Sequence, residues 1–124
     1  MADLRIEPVA LAQVDLRTRE PGLAPFSLPE ANRWSAGDGR EALWLGPDEW
    51  LVTGPAGTAD AIAADLAAAF AGTHVSVVDV SANRVAFDLS GDAVRDLLAM
   101  GCSLDVHPTR WREGDCAQTL FGRV

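Results

Sequence analysis

Apolar and polar positions along this chain change their period several times, and each change marks an element. From Ala42 two apolar runs, ALWLG and WLVTG, flank Gly46-Pro47-Asp48-Glu49, a pattern that predicts a β-hairpin. Thr58 then stands as an N-cap before Ala61, Ile62, Asp65, Leu66, Ala69 and Phe70. Their spacing of three and four, closed by Gly72, predicts an amphipathic helix over 59–71. His74 to Val80 is β-branched and nearly continuous, whereas Arg84 to Leu89 alternates Val85, Phe87 and Leu89 with Arg84, Ala86 and Asp88. These are two strands, the second half exposed. Ser90-Gly91-Asp92 introduces Ala93, Val94, Leu97 and Leu98 at helical spacing, and Gly101 ends that second helix with Asp92 near its positive end. After a turn-rich stretch around Trp111, CAQTLF predicts one further strand. The order β-β-α-β-β-α-β is that of an α+β fold with a ferredoxin-like sheet layered with helices.

The first forty residues behave differently. Pro8, Pro21, Pro25 and Pro29 with Gly22, Gly37 and Gly39 break any regular element after a few residues, so the expectation is an extended, proline-rich N-terminal arm over 1–41 and an α+β domain over 42–124. Val9-Ala10-Leu11 and Leu23 to Leu28 are apolar clusters where such an arm docks, since a solvated linker needs no Phe26 or Trp34.

Composition narrows the class. A chain of 124 residues with 48% hydrophobic and 23% charged positions has room for one domain with a true core, which excludes disordered, collagenous and disulfide-scaffold readings. The most apolar stretch, Ala59 to Ala71, is interrupted by Asp60 and Asp65 and falls short of the roughly 20 residues a membrane helix needs. The opening MADLRIEP lacks a secretory pattern, so a cytoplasmic location is expected. A net charge of -8 repels phosphate backbones and anionic lipid, so neither nucleic acid nor membrane is an expected partner. Every basic residue is an arginine, which removes Schiff-base chemistry and the P-loop lysine. Cys102, Cys116, His74 and His107 have no metal-ligand spacing, so two reduced thiols and no metal are expected. His107 before Pro108 lacks a placed partner for general-base work, and no dinucleotide, acyl-transfer or P-loop motif occurs.

One segment carries more than periodicity. The string VVDVSANRVAFDLSGDAVRDLL, with D-x-S-x-x-R followed by S-G-x-x-A-x-x-x-L, resembles the folate-binding aminomethyltransferase fold of the glycine-cleavage T-protein. More narrowly, ALWLGPDEWLV, VVDVSANRV, LLAMGCSLDVHP and GDCAQTL, in that order from about Ala42 to Leu120, resemble the gamma subunit of heterotetrameric sarcosine oxidase. The resemblance implies a half of the aminomethyltransferase-type fold in which Gly46, Pro47, Asp48, Glu49 and Trp50 form the opening hairpin. Asp79, Ser81 and Arg84 become a strand-loop-strand motif, and Gly91 and Leu98 the helix entry and packing face. Gly101, Cys102, Leu104, Asp105 and Pro108 form the following loop, and Gly114, Cys116, Gln118 and Thr119 the last strand. None is a catalytic group in that family, and the chain is expected to bind no cofactor itself. The implied complex demethylates sarcosine to glycine, passing the one-carbon unit to tetrahydrofolate and releasing hydrogen peroxide. Alpha, beta and delta partner subunits hold its FAD, FMN, NAD, tetrahydrofolate and zinc. Gamma subunits of this kind continue past the CAQT strand through another hairpin and helix, which the resemblance implies are lacking over 42–124.

Two features have a plain structural reading beside a functional one. Asp79, Ser81 and Arg84 suit a folate contact, yet Asp and Ser are ordinary turn residues, and Arg84 pairing with Asp79 across the strands needs no ligand. Trp44, Trp50 and Trp111, with Phe26 and Trp34, suit a flat-cofactor pocket, but aromatics of this kind are more often core or interface anchors. Phe26, Trp34, Trp44 and Trp111 are therefore the expected interface residues of a bracing, non-catalytic subunit. The rival is a stand-alone folate-binding module or one-carbon transferase of the same fold.

Overall fold

The computed structural model describes residues 3–122. Nine regular elements follow one another: β1 (Arg5–Val9), β2 (Leu11–Thr18), β3 (Trp34–Gly37), β4 (Arg40–Gly46), β5 (Glu49–Pro55), α1 (Ala59–Ala69), β6 (Val75–Asp79), β7 (Ala86–Ser90) and α2 (Val94–Gly101), with a short 3-10 turn at Pro21–Leu23. β3, β4, β5, β2 and β6 form an antiparallel sheet in that spatial order, and β1 pairs with β7 in a separate two-stranded sheet. It is a small mixed α/β domain.

The core lies between α1 and one face of the larger sheet. Alternation along β2 sends Ala12, Val14 and Leu16 to that face, where they meet Val52, the fully buried Ile62 and Leu66 of α1, and Phe70 at its C-cap. Ile62, Leu66 and Phe70 recur every fourth position, which makes a single apolar stripe. Burying each contributes about 1.5–3 kcal/mol. The helix lies close against the sheet because Gly54 of β5 has no side chain: a Cβ there would stand 3.0 Å from Ile62 Cδ1. Arg40 Nη1 reaches Asp65 Oδ2 at 2.8 Å and ties β4 to the outer side of α1.

The expected arm over 1–41 gives way to a different arrangement. Leu11–Thr18 is not peripheral but the strand between β5 and β6, pairing with both. Its alternation of Ala12, Val14, Leu16 against Gln13, Asp15, Arg17 is a strand signal that the surrounding prolines masked. Within the described part of that region the long stretch without a strand is 19–33, and it docks on the chain's own core through Ala24, Phe26 and Leu28. Trp50 Nε1 donates to Pro29 O at 2.9 Å and holds that stretch down.

Elsewhere the hairpin, both helices and the two strands after α1 stand within a few residues of their expected bounds. Thr58 occupies the N-cap of α1, but its hydroxyl donates to Pro55 O at 2.6 Å instead of capping the helix. The strand expected over CAQTLF is absent among the described residues; one isolated bridge, Asp115 with Arg33, stands just before it. Together with β2 inside the sheet between β5 and β6, this replaces the expected ferredoxin-like order by a five-stranded antiparallel sheet with one helix, plus a two-stranded sheet followed by the other.

Candidate interaction surface

The face of the large sheet opposite α1 carries a row of directly paired residues across all five strands: Trp34, Leu43, Leu51, Asp15 and Val78. Leu51 at its centre is buried, while Trp34 and Val78 at the two edges are 38% and 50% exposed. Asp15 thus sits in an apolar row, two residues along the strand from the Arg17–Glu49 pair, whose Nη2 and Oε2 are 3.2 Å apart. Burial, a hydrogen bond with Glu49 and the Glu49 charge together raise the Asp15 carboxyl from 3.8 to about 6, against the pull of Arg17 and Arg84.

One edge of this surface is closed by a clasp. Arg33 Nη1 lies 2.6 Å from Asp115 Oδ1 and also donates to Glu113 O. Trp34 N donates to Gly114 O at 3.0 Å, and Cys116 N to Asn32 O at 2.8 Å. Arg112 N donates to Asp115 Oδ2 at 2.7 Å, so both carboxylate oxygens are used and the Asp115 carboxyl is held below its ordinary value. Gly114 has φ +88, and a Cβ there would collide with the Arg33 guanidinium. The thiol of Cys116 donates to Trp44 O at 3.6 Å, and burial pushes it up, which makes it a packed thiol and not a nucleophile.

The D-x-S-x-x-R motif fastens the other edge. Ser81 N donates to Asp79 Oδ1 at 2.9 Å, an Asx turn that, with the Ser81 hydroxyl, lowers the Asp79 carboxyl. Ser81 Oγ accepts from Gln13 N at 2.8 Å and lies 3.3 Å from Gln13 O, while Gln13 Nε2 donates to Arg84 O at 3.2 Å. The expected cross-strand ion pair between Asp79 and Arg84 does not form among the described residues; Arg84 contributes its carbonyl to Gln13 instead. Asp79 Oδ1 and Ser81 Oγ are thus engaged with the chain's own backbone.

The remaining motif residues are spread over the fold. Asp48 has φ +62 at the third position of the Gly46-Pro47-Asp48-Glu49 turn, and Trp44 faces Trp50 across that hairpin. Gly91 lies against Asp3 at the entry to α2, and Gly101 against the Phe121 ring at its end. Cys102 caps α2 by donating its N–H to Leu98 O, and Asp105 Oδ1 accepts from His107 N ahead of Pro108. Thr119 is exposed on the tail. Trp111 lines a cleft of about 510 Å3 with Arg95, Leu98 and Val106, where Arg95 donates to Val106 O. Phe26, expected at an interface, packs inward on the core. Among the described residues no three metal-ligating side chains gather.

Residues 22–124 match the family profile described as sarcosine oxidase, gamma subunit family. The chain belongs to that family. Over 89 residues it is 44% identical to a sarcosine oxidase subunit gamma from Arthrobacter sp, covering 72% of this chain and 43% of that protein. Over 99 residues it is 40% identical to the subunit gamma from Corynebacterium sp. strain U-96, covering 78% of this chain and 47% of that protein. The matches span less than half the length of these gamma subunits. A chain in the structure of heterotetrameric sarcosine oxidase from Corynebacterium sp. U-96 in complex with pyrrole 2-carboxylate superposes with a TM-score of 0.84 at 29% identity, over 98% of this chain and 67% of that one. Gln13, Arg33, Asp115 and Asp15 were not singled out by the sequence, because their roles depend on which strands become neighbours.

Proposed function

We propose that this chain acts as a gamma subunit of a heterotetrameric sarcosine oxidase and braces the complex without taking part in the chemistry. The observation that carries this is the likeness, over nearly the whole chain, to a chain of such a heterotetramer, at a TM-score of 0.84. The Asp79–Ser81 turn and the Arg33–Asp115 clasp agree with it, since both spend polar side chains on holding the sheet edges. In this reading the large alpha and beta subunits and the small delta subunit hold FAD, FMN, NAD, tetrahydrofolate and zinc. They demethylate sarcosine to glycine, transfer the one-carbon unit to tetrahydrofolate and release hydrogen peroxide, in the cytoplasm. In this reading Trp34, at the edge of the large sheet, Trp44, on the hairpin, and Trp111, beside α2, are separate partner contacts. Aromatic side chains suit that role because they bury large areas at low entropic cost. Co-expression with and without this chain, followed by subunit stoichiometry and heat inactivation, tests it. A complex that forms and survives heating equally well in both cases defeats the bracing role.

A further inference from the structure

The sheet of β1 and β7 is unfinished. Its register sets Ile6 opposite Leu89 and Pro8 opposite Phe87, so Leu4, Ile6, Phe87 and Leu89 share one face. Ile6 and Phe87 are each about half exposed, at 51% and 52%, on a chain whose net charge is -8. No third strand joins this sheet among the described residues. β1 carries Pro8, which has no N–H to give, whereas β7 keeps a donor at every position from Ala86 to Ser90. β7 is therefore the edge able to take another strand.

The opposite face says what that strand carries. Glu7 stands directly opposite Asp88, two carboxylates side by side. Arg5 Nε is 3.9 Å from Glu7, while no ion pair to Asp88 forms among the described residues. We infer that the outer edge of β7 accepts a strand of a partner polypeptide, with Lys or Arg beside Asp88 and apolar residues beside Phe87 and Leu89. A second copy of this chain is a poor occupant, because two edges of this kind meeting about Asp88 oppose like charges within two molecules of charge -8. Strand addition of this type takes its affinity from main-chain hydrogen bonds and its selectivity from the alternating side chains.

This rests on the subunit reading, in which the partner is another subunit of the oxidase. The test co-expresses the full chain with the other subunits, captures the assembly and follows amide hydrogen exchange over 86–90. The outward amides of β7 are expected to slow by at least about tenfold in the assembly, and Asp88→Arg to lower capture by about tenfold, with Asp88→Asn between it and the parent. Asp60→Arg on α1 leaves capture unchanged. These positions are exposed, and circular dichroism of each free variant checks that the fold is kept. An assembly that forms with β7 exchanging as fast as in the free chain overturns this inference and leaves the subunit reading standing. A free dimer protected at 86–90 overturns it in favour of a second copy. Absence of any assembly removes the subunit reading and this inference together.

Discussion

Single residues decide the edges of the large sheet. Gly114→Ala forces a side chain into the left-handed region and against Arg33, and is expected to cost about 1–3 kcal/mol and to loosen the tail, read by urea unfolding. Ser81→Ala leaves the N–H of the buried Gln13 without its acceptor, at a cost of about 1–3 kcal/mol in the same measurement. Asp15 gives a pH signature. Its folded pKa, about 6, lies above the ordinary 3.8, so between those values the native chain holds a proton that the unfolded chain has lost. Its effect is to make stability highest below that window and lower as pH rises through it. Asp15→Asn is expected to remove that slope when unfolding free energies are compared at pH 4 and pH 7; a parent and variant with the same difference between the two pH values contradict the assignment. The turn chemistry of Asp79 and Ser81 was legible in the sequence because it is local. Asp15 was not, since its raised value comes from burial and from Glu49, both of which only the folded sheet supplies.

At the scale of elements, α1 and the β4–β5 hairpin were legible because each follows one unbroken period bounded by turn residues. β2 was missed because Pro8 and Pro21 frame it so closely that the strand looks like part of an irregular arm. The CAQTLF segment misled in the opposite direction: it is a short apolar-flanked run after a turn, but among the described residues it joins neither sheet. The fully buried Leu66 at the centre of the α1 stripe makes the clearest test of the core. Leu66→Ala is expected to cost about 2–5 kcal/mol by denaturant unfolding, and a loss under 1 kcal/mol contradicts the packing described.

Across the whole molecule the two halves are built to different standards. The sheet with α1 closes a core around Val14, Leu16, Val52, Ile62, Leu66 and Phe70, whereas α2 buries none of its residues and the β1–β7 sheet leaves its apolar face open. A two-stranded sheet is marginal by itself in water. Heating is expected to loosen β1, β7 and α2 before the large sheet, seen as faster hydrogen exchange over 86–101 than over 50–66. Association with partner chains is the natural complement to such a half, in keeping with membership of the gamma subunit family. The most direct measurement of that claim is to express the other sarcosine oxidase subunits with and without this chain and to assay sarcosine-dependent hydrogen peroxide from the purified assembly. This chain is expected to co-purify in fixed stoichiometry, and its omission to make the assembly fall apart or lose activity. An oxidase fully assembled and fully active without it, and with no affinity for it, would contradict the account.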